Sequence, residues 1–133
     1  MFYLTPSQEY KCNTSLLINL SQKSHSLYEC ILVSLKFSKK IGLPIIGNPK
    51  LKLKNQVLTL VYTIMQHEIN CGLYEELILE NPTNQSVRLQ LDGMYEMTNL
   101  LSIKYQKYLG EWDILKNQEE KIYSNFDNLP ISA

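Results

Sequence analysis

The sequence predicts an all-α fold, an antiparallel four-helix bundle with a short N-terminal arm or helix, on three observations. Apolar residues recur at three- and four-residue intervals over long stretches, the spacing of one helix face. Only five Gly and five Pro occur among 133 residues, too few for a turn-rich β chain. The breaks between periodic stretches are short, at 42–49, 81–82 and 110, so consecutive helices turn back on one another. A length near the modal domain size implies a single domain, residues 1–133, around one core.

Taken in order, residues 1–13 read as an N-terminal arm, with Thr5-Pro6-Ser7 partly extended. Leu16, Leu17, Ile18 and Leu20 suit one or two helical turns. Ser21, Ser24 and Ser26 are capping residues ahead of a long run, and Ser26 with Glu29 three residues later resembles a capping box. Leu27, Ile31, Leu35 and Ser38 share the core stripe of that run, with Tyr28, Leu32 and Phe37 beside it. Lys36, Lys39 and Lys40 complement the helix dipole in its last turns, and Gly42 with Pro44 ends it.

The loop GLPIIGNP, with Ile45 and Ile46 positioned to pack back on the domain, leads to a second run from about Lys50 to Leu79. Its expected core stripe is Leu58, Val61, Met65, Ile69 and Leu73, flanked by Val57, Ile64 and Leu77. Asn81-Pro82 stops it, because the residue before proline is pushed out of the helical region. A third helix starts at Thr83 or Asn84 and carries Val87, Leu91, Met94, Tyr95, Thr98, Leu101 and Tyr105 on one face, with Gly110 closing it. A fourth, Glu111 to Phe126, sets Trp112, Leu115, Ile122 and Phe126 near one face. Residues 127–133 read as a frayed tail. Stripes this wide must be buried against one another.

Composition narrows the function. Thirteen Lys+Arg balance thirteen Asp+Glu, so the basic excess that a nucleic-acid binder needs is missing. No stretch approaches the ~20 apolar residues that span a bilayer. Residues 1–10 lack the pattern of a signal peptide. Cys12, Cys30 and Cys71, odd in number and widely spaced, fit reduced and mostly buried thiols in a cytoplasm.

Catalytic signatures are equally sparse. His67-Glu68-Ile69-Asn70 resembles the phosphoacceptor His and acidic neighbour of two-component kinases, but a polar position on a helix's outer face accounts for it as well. His25 and His67 are far apart, and no metal-ligand spacing occurs. Adjacent pairs Glu75-Glu76 and Glu119-Glu120 point to different sides of a helix. No nucleophile–base pair or phosphate-binding loop is visible, so neither an enzyme nor a cofactor is expected. Nine tyrosines remain, an amphipathic residue enriched at binding surfaces.

Laid out this way, the chain resembles the flagellin-export chaperone family (FliS-like) from about Pro6 to Phe126. Pro6-Ser7-Gln8-Glu9-Tyr10-Lys11-Cys12-Asn13 is similar to the family's arm, with its Tyr-Lys-x-Asn. Ser21 to Leu27 occupies the place of its Thr-Ala-Ser-Pro-x-x-Leu helix start, with Ser24 where the family has Pro. Leu91-Asp92-Gly93-Met94-Tyr95-Glu96-Met97 resembles its Leu-x-x-Leu-Tyr-x-Tyr segment. The family's glycine pair between the middle helices has no counterpart in Leu79-Glu80-Asn81-Pro82-Thr83.

The resemblance implies a cytoplasmic chaperone. It would bind the disordered C-terminal segment of flagellin, keep it unpolymerised and deliver it to the flagellar type III export apparatus. Client helices would then bury apolar anchors in grooves lined by Leu, Met and Tyr. The candidate partner-binding residues are Tyr10, Leu27, Ile31, Tyr74, Leu91, Met94, Tyr95, Thr98, Tyr105 and Tyr108, with Ile103 also surplus to the core. The arm with Tyr10 would cover a groove until the client displaces it. A monomer or weak dimer, without nucleic acid or membrane insertion, is expected. The alternatives are another helical partner-binding protein (a different secretion chaperone, a co-chaperone or an inhibitor of a regulatory protein) and a phosphotransfer bundle acting through His67.

Overall fold

In a computed structural model the chain forms α1 (Pro6–Lys40), α2 (Pro49–Glu80) and α3 (Gln85–Asp127). The structure describes residues 6–43 and 47–127, with side-chain surroundings for 15–43 and 47–121. The fold is all-α, as the periodicity predicts, but the described residues hold three helices where four are expected. Two expected breaks are helix interior.

Ser21, Ser24 and Ser26 lie within α1. The run Leu17, Leu20, Ser24, Leu27, Ile31 keeps its three- and four-residue spacing through the serine cluster, and Ser24 is wholly buried in it. The expected arm divides: residues 6–13 belong to α1, and 1–5 lie outside the described residues. Gly110 likewise sits inside α3. A helical glycine costs about 1 kcal/mol relative to alanine. Each buried large side chain carrying the seam past it contributes roughly 1.5–3 kcal/mol, so Tyr108 and Trp112 outweigh the glycine. The expected tail starts at the last helical residue, Asp127, and its remainder lies outside the described residues.

Where breaks do occur, Gly42, Asn81 and Asn84 stand at the helix ends as expected, Pro44 lies outside the described residues, and Asn48 adds a cap not foreseen from the spacing. Gly42 adopts φ +82 after α1, and the amides of Gly42 and Leu43 close on the carbonyls of Lys39 and Ser38 at 3.1 and 2.9 Å. This is the paired pattern of a glycine-terminated helix. Asn48 caps α2 by accepting from the Lys50 amide at 2.9 Å, and Pro49 opens the helix where its missing N–H is not needed. Ile45 and Ile46 lie outside the described residues. Asn81 ends α2, and Asn84 starts α3 by accepting from the Ser86 amide at 2.9 Å.

Short connections make α2 antiparallel to both neighbours, so α1 and α3 run parallel. Most buried positions repeat every 3.5 residues: 50, 53, 57, 60, 64, 67, 71 and 78 on α2, where Val61 is buried beside this row, and 91, 94, 98, 101, 105, 108 and 112 on α3. This is the heptad seam of a coiled coil, which winds left-handed. On α1 and α3 the buried side chains follow the expected stripes, which Tyr108 joins, while the side chains of Ile122 and Phe126 lie outside the described residues. On α2 they do not. Met65, Ile69 and Leu73, expected in the core, are 42, 59 and 56% exposed, while Leu53, Leu60, His67 and Cys71 occupy the seam. Val57, Val61 and Ile64 belong to both descriptions.

Ser24 and Ser38 are buried on the α1 side of the seam, and polar side chains pair across it in two places. Lys50 pairs with Glu119 and donates to Ser34 Oγ at 2.7 Å, with its ammonium 6.0 Å from the Trp112 ring centroid. Some 17 residues along α2, His67 Nε2 meets Thr98 Oγ1 at 2.9 Å, and the Cys71 sulfur lies 3.7 Å from the same nitrogen. No helix among the described residues is long and apolar enough to cross a membrane.

Candidate functional site

Three helices around one seam leave the contact between the two parallel helices the narrowest, and α1 and α3 share the least packing of the three pairs. A groove of about 400 Å³ opens along this line. Its floor is the seam itself, with Leu27, Tyr105 and Trp112 buried and Leu109 half-buried. Its rim is polar: Asn19, Gln22, Lys23, Ser26 and Cys30 from α1, and Asp113 and Lys116 from α3. The α1 residues recur with helical spacing along one edge, as do Tyr105, Leu109, Trp112 and Lys116 on the other.

Charge on the groove is sparse and solvated. Lys116 reaches Asp113 at 3.6 Å, both being about half exposed, and sits 5.9 Å from the Trp112 ring centroid. A pair this exposed is worth at most about 1 kcal/mol. Burial pushes the Tyr105 hydroxyl above the usual phenol range, with Asp113 adding to the effect. Tyr105 therefore stays neutral at physiological pH and offers ring surface with a polar tip. An apolar trough between polar edges suits an extended or helical peptide segment.

The expected partner-binding residues are distributed unevenly. Leu27 and Tyr105 line the groove. Ile31, Leu91, Met94, Thr98 and Tyr108 are buried in the seam, where they hold the helices together. Tyr74 and Tyr95 are half-buried against the core, Ile103 is 67% exposed, and the side chain of Tyr10 lies outside the described residues. Trp112, Leu109 and Cys30 were not among the expected residues. Continuing the spacing of Tyr105 and Tyr108 across Gly110 brings Leu109 and Trp112 to the same line, and that continuity is the signal that finds these two.

His67 is also corrected. It is not on the outer face but 6% exposed, facing Thr98 and Cys71. Thr98 donates its hydroxyl to the Met94 carbonyl at 3.0 Å, which leaves Oγ1 to accept from an imidazole N–H. The chain is satisfied with a neutral ring protonated on Nε2. Burial holds the His67 pKa below the ordinary histidine range, against smaller opposing effects of the Met94 carbonyl and Glu68. A phosphoacceptor must present a nitrogen to an incoming phosphoryl donor, and this one is engaged inside the bundle. The thiols differ from each other as well: Cys71 is buried as expected, Cys30 is exposed at the groove rim, and the side chain of Cys12 lies outside the described residues.

No protein-family model matches the chain, and neither the curated proteins nor the solved structures contain a significant match.

Proposed function

We propose that this chain is a non-catalytic binding protein that holds an amphipathic segment of another polypeptide in the α1–α3 groove. The segment would supply the fourth helix of a four-helix bundle. The observation that carries this reading is the groove over the seam: half-buried Leu109, with the edges of Leu27, Tyr105 and Trp112 beneath it, floors a trough of about 400 Å³ between two polar edges. A fourth helix laid there covers that floor and turns three helices into the commoner closed arrangement. The resemblance to flagellin-export chaperones makes the disordered C-terminal segment of flagellin the first client, in a cytoplasmic setting that feeds type III export. Ordering such a segment on binding moderates affinity while allowing a long contact.

Trp112 is the sole tryptophan and lies on the groove floor, so its fluorescence reports occupancy. Titrating a flagellin C-terminal peptide should give saturable heat in calorimetry and a matching change in tryptophan emission. Leu109→Glu puts a charge on the trough and should weaken binding at least about tenfold, or 1.4 kcal/mol. Heat without a Trp112 response would move the client to another face. Absence of both would remove flagellin as client and turn the search to segments of other secreted or regulatory proteins.

A further inference from the structure

The outer face of α2 carries a pattern that the bundle does not use. Leu58, Tyr62, Met65, Ile69 and Leu73 form a stripe away from the seam, and Tyr62, Ile69 and Leu73 are each more than half exposed. Charges bracket this stripe in an order that a lone helix disfavours. Lys50, Lys52 and Lys54 stand in the first turns, and no acidic residue of α2 precedes Glu68. Glu75, Glu76 and Glu80 stand at the other end, and no basic residue of α2 follows Lys54. The helix macrodipole is positive at its N-terminus and negative at its C-terminus, so both sets sit where the helix's own field opposes them. Lys50 is matched by Glu119 inside the bundle. Lys52, Lys54, Glu75, Glu76 and Glu80 make no ion pair among the described residues.

We infer that this face binds a second copy of the chain, with the two α2 helices antiparallel about a two-fold axis. An isologous contact requires a surface complementary to itself, each contact occurring twice about the axis. An axis between Met65 and Gln66 opposes Tyr62 to Ile69 of the second copy, Leu58 to its Leu73, and Lys52 to the turn holding its Glu80. Apolar residues meet in the middle, and the basic end of each copy lies along the acidic end of the other. The two macrodipoles also run in opposite directions. A client of unrelated sequence has no need of oppositely charged ends placed symmetrically about an apolar centre, whereas an isologous partner does. From Lys52 to Glu80 the helix runs roughly 42 Å, and a strip roughly 10 Å wide gives about 400 Å² per copy. That lies below the ~800 Å² per partner of a standard stable interface, so the pair is a weak one that forms and dissociates with concentration.

Sedimentation equilibrium and light scattering on the full chain test this. The wild type should pass from one chain to two as its concentration rises through the micromolar range. K52E/K54E makes both ends of the face acidic and E76K/E80K makes both basic, so each variant alone should dimerise at least tenfold more weakly. All four positions are exposed or half-exposed, so each variant should keep its helices, which circular dichroism checks. An equimolar mixture of the two variants should dimerise again, because acidic ends then meet basic ends at both contacts. A wild type that stays monomeric throughout overturns the inference. So do variants that pair as well as the wild type, and so does a mixture that associates no better than its components.

Discussion

The imidazole of His67 shows how one buried residue makes a bundle sensitive to pH. Its pKa in the folded state is depressed by burial, whereas in the unfolded chain it returns to about 6.5. Above that value both states hold a neutral ring and the residue adds no pH dependence. As pH falls below it, the unfolded chain takes up a proton that the folded chain resists, so stability is lost until pH drops beneath the folded pKa. The wild type should therefore lose more stability between pH 7.5 and pH 5 than His67→Gln, with a slope of at most about 1.4 kcal/mol per pH unit from this group. Urea midpoints for both proteins at the two pH values check this. Equal losses would place the sensitivity on other groups. The burial of His67 was not legible from its neighbours, because a polar side chain on a long helix is ordinarily read as outward. What places it inside is the strict repeat of the seam, in which position 67 falls between Ile64 and Cys71.

At the level of the helix, legibility depended on how many apolar faces a segment carries. α1 and α3 have one dominant apolar face, and their buried stripes follow from spacing alone. α2 has two, one of them in the seam and the other bearing Tyr62, Met65, Ile69 and Leu73 outward, so periodicity could not say which was core. Helix ends failed for a different reason. Gly42 and Asn81 coincide with a loss of apolar spacing and do terminate helices, whereas Gly110 does not, because Tyr108, Trp112 and Leu115 continue the seam beyond it. Gly110 is exposed and a Cβ added there meets nothing within 4 Å. Gly110→Ala should therefore stabilise the protein by about 0.5–1 kcal/mol, through lower chain entropy in the unfolded state. Gly42, with φ +82 and equally open surroundings, should respond in the opposite direction, because alanine is strained in that conformation. Thermal or urea unfolding of the two variants compares the signs. A loss at Gly110 would mean that the glycine serves a bend in α3.

Across the whole molecule, the groove and the outer face of α2 lie on opposite sides of the bundle, since the α1–α3 contact is the one that α2 does not border. Binding a client in the groove and pairing through α2 should then be independent, with neither ligand changing the other's affinity. Cysteine chemistry separates the two. Cys30 is exposed on the groove rim, so a client seated there should slow its alkylation, whereas pairing through α2 should leave it at the rate of the single chain. Cys71, 1% exposed beside His67, reacts only when the bundle opens and so reports stability in the same experiment. K52E/K54E should retain the wild-type client affinity and the wild-type protection of Cys30, even where it no longer pairs. Mass mapping of the alkylated peptides over a client titration gives both rates at once. If the charge-reversed variant binds its client differently, the two faces communicate, and the packing of α2 between its neighbours must shift when either is filled. Unchanged affinity leaves the bundle a rigid spacer, with one side for another chain and the other for a copy of itself.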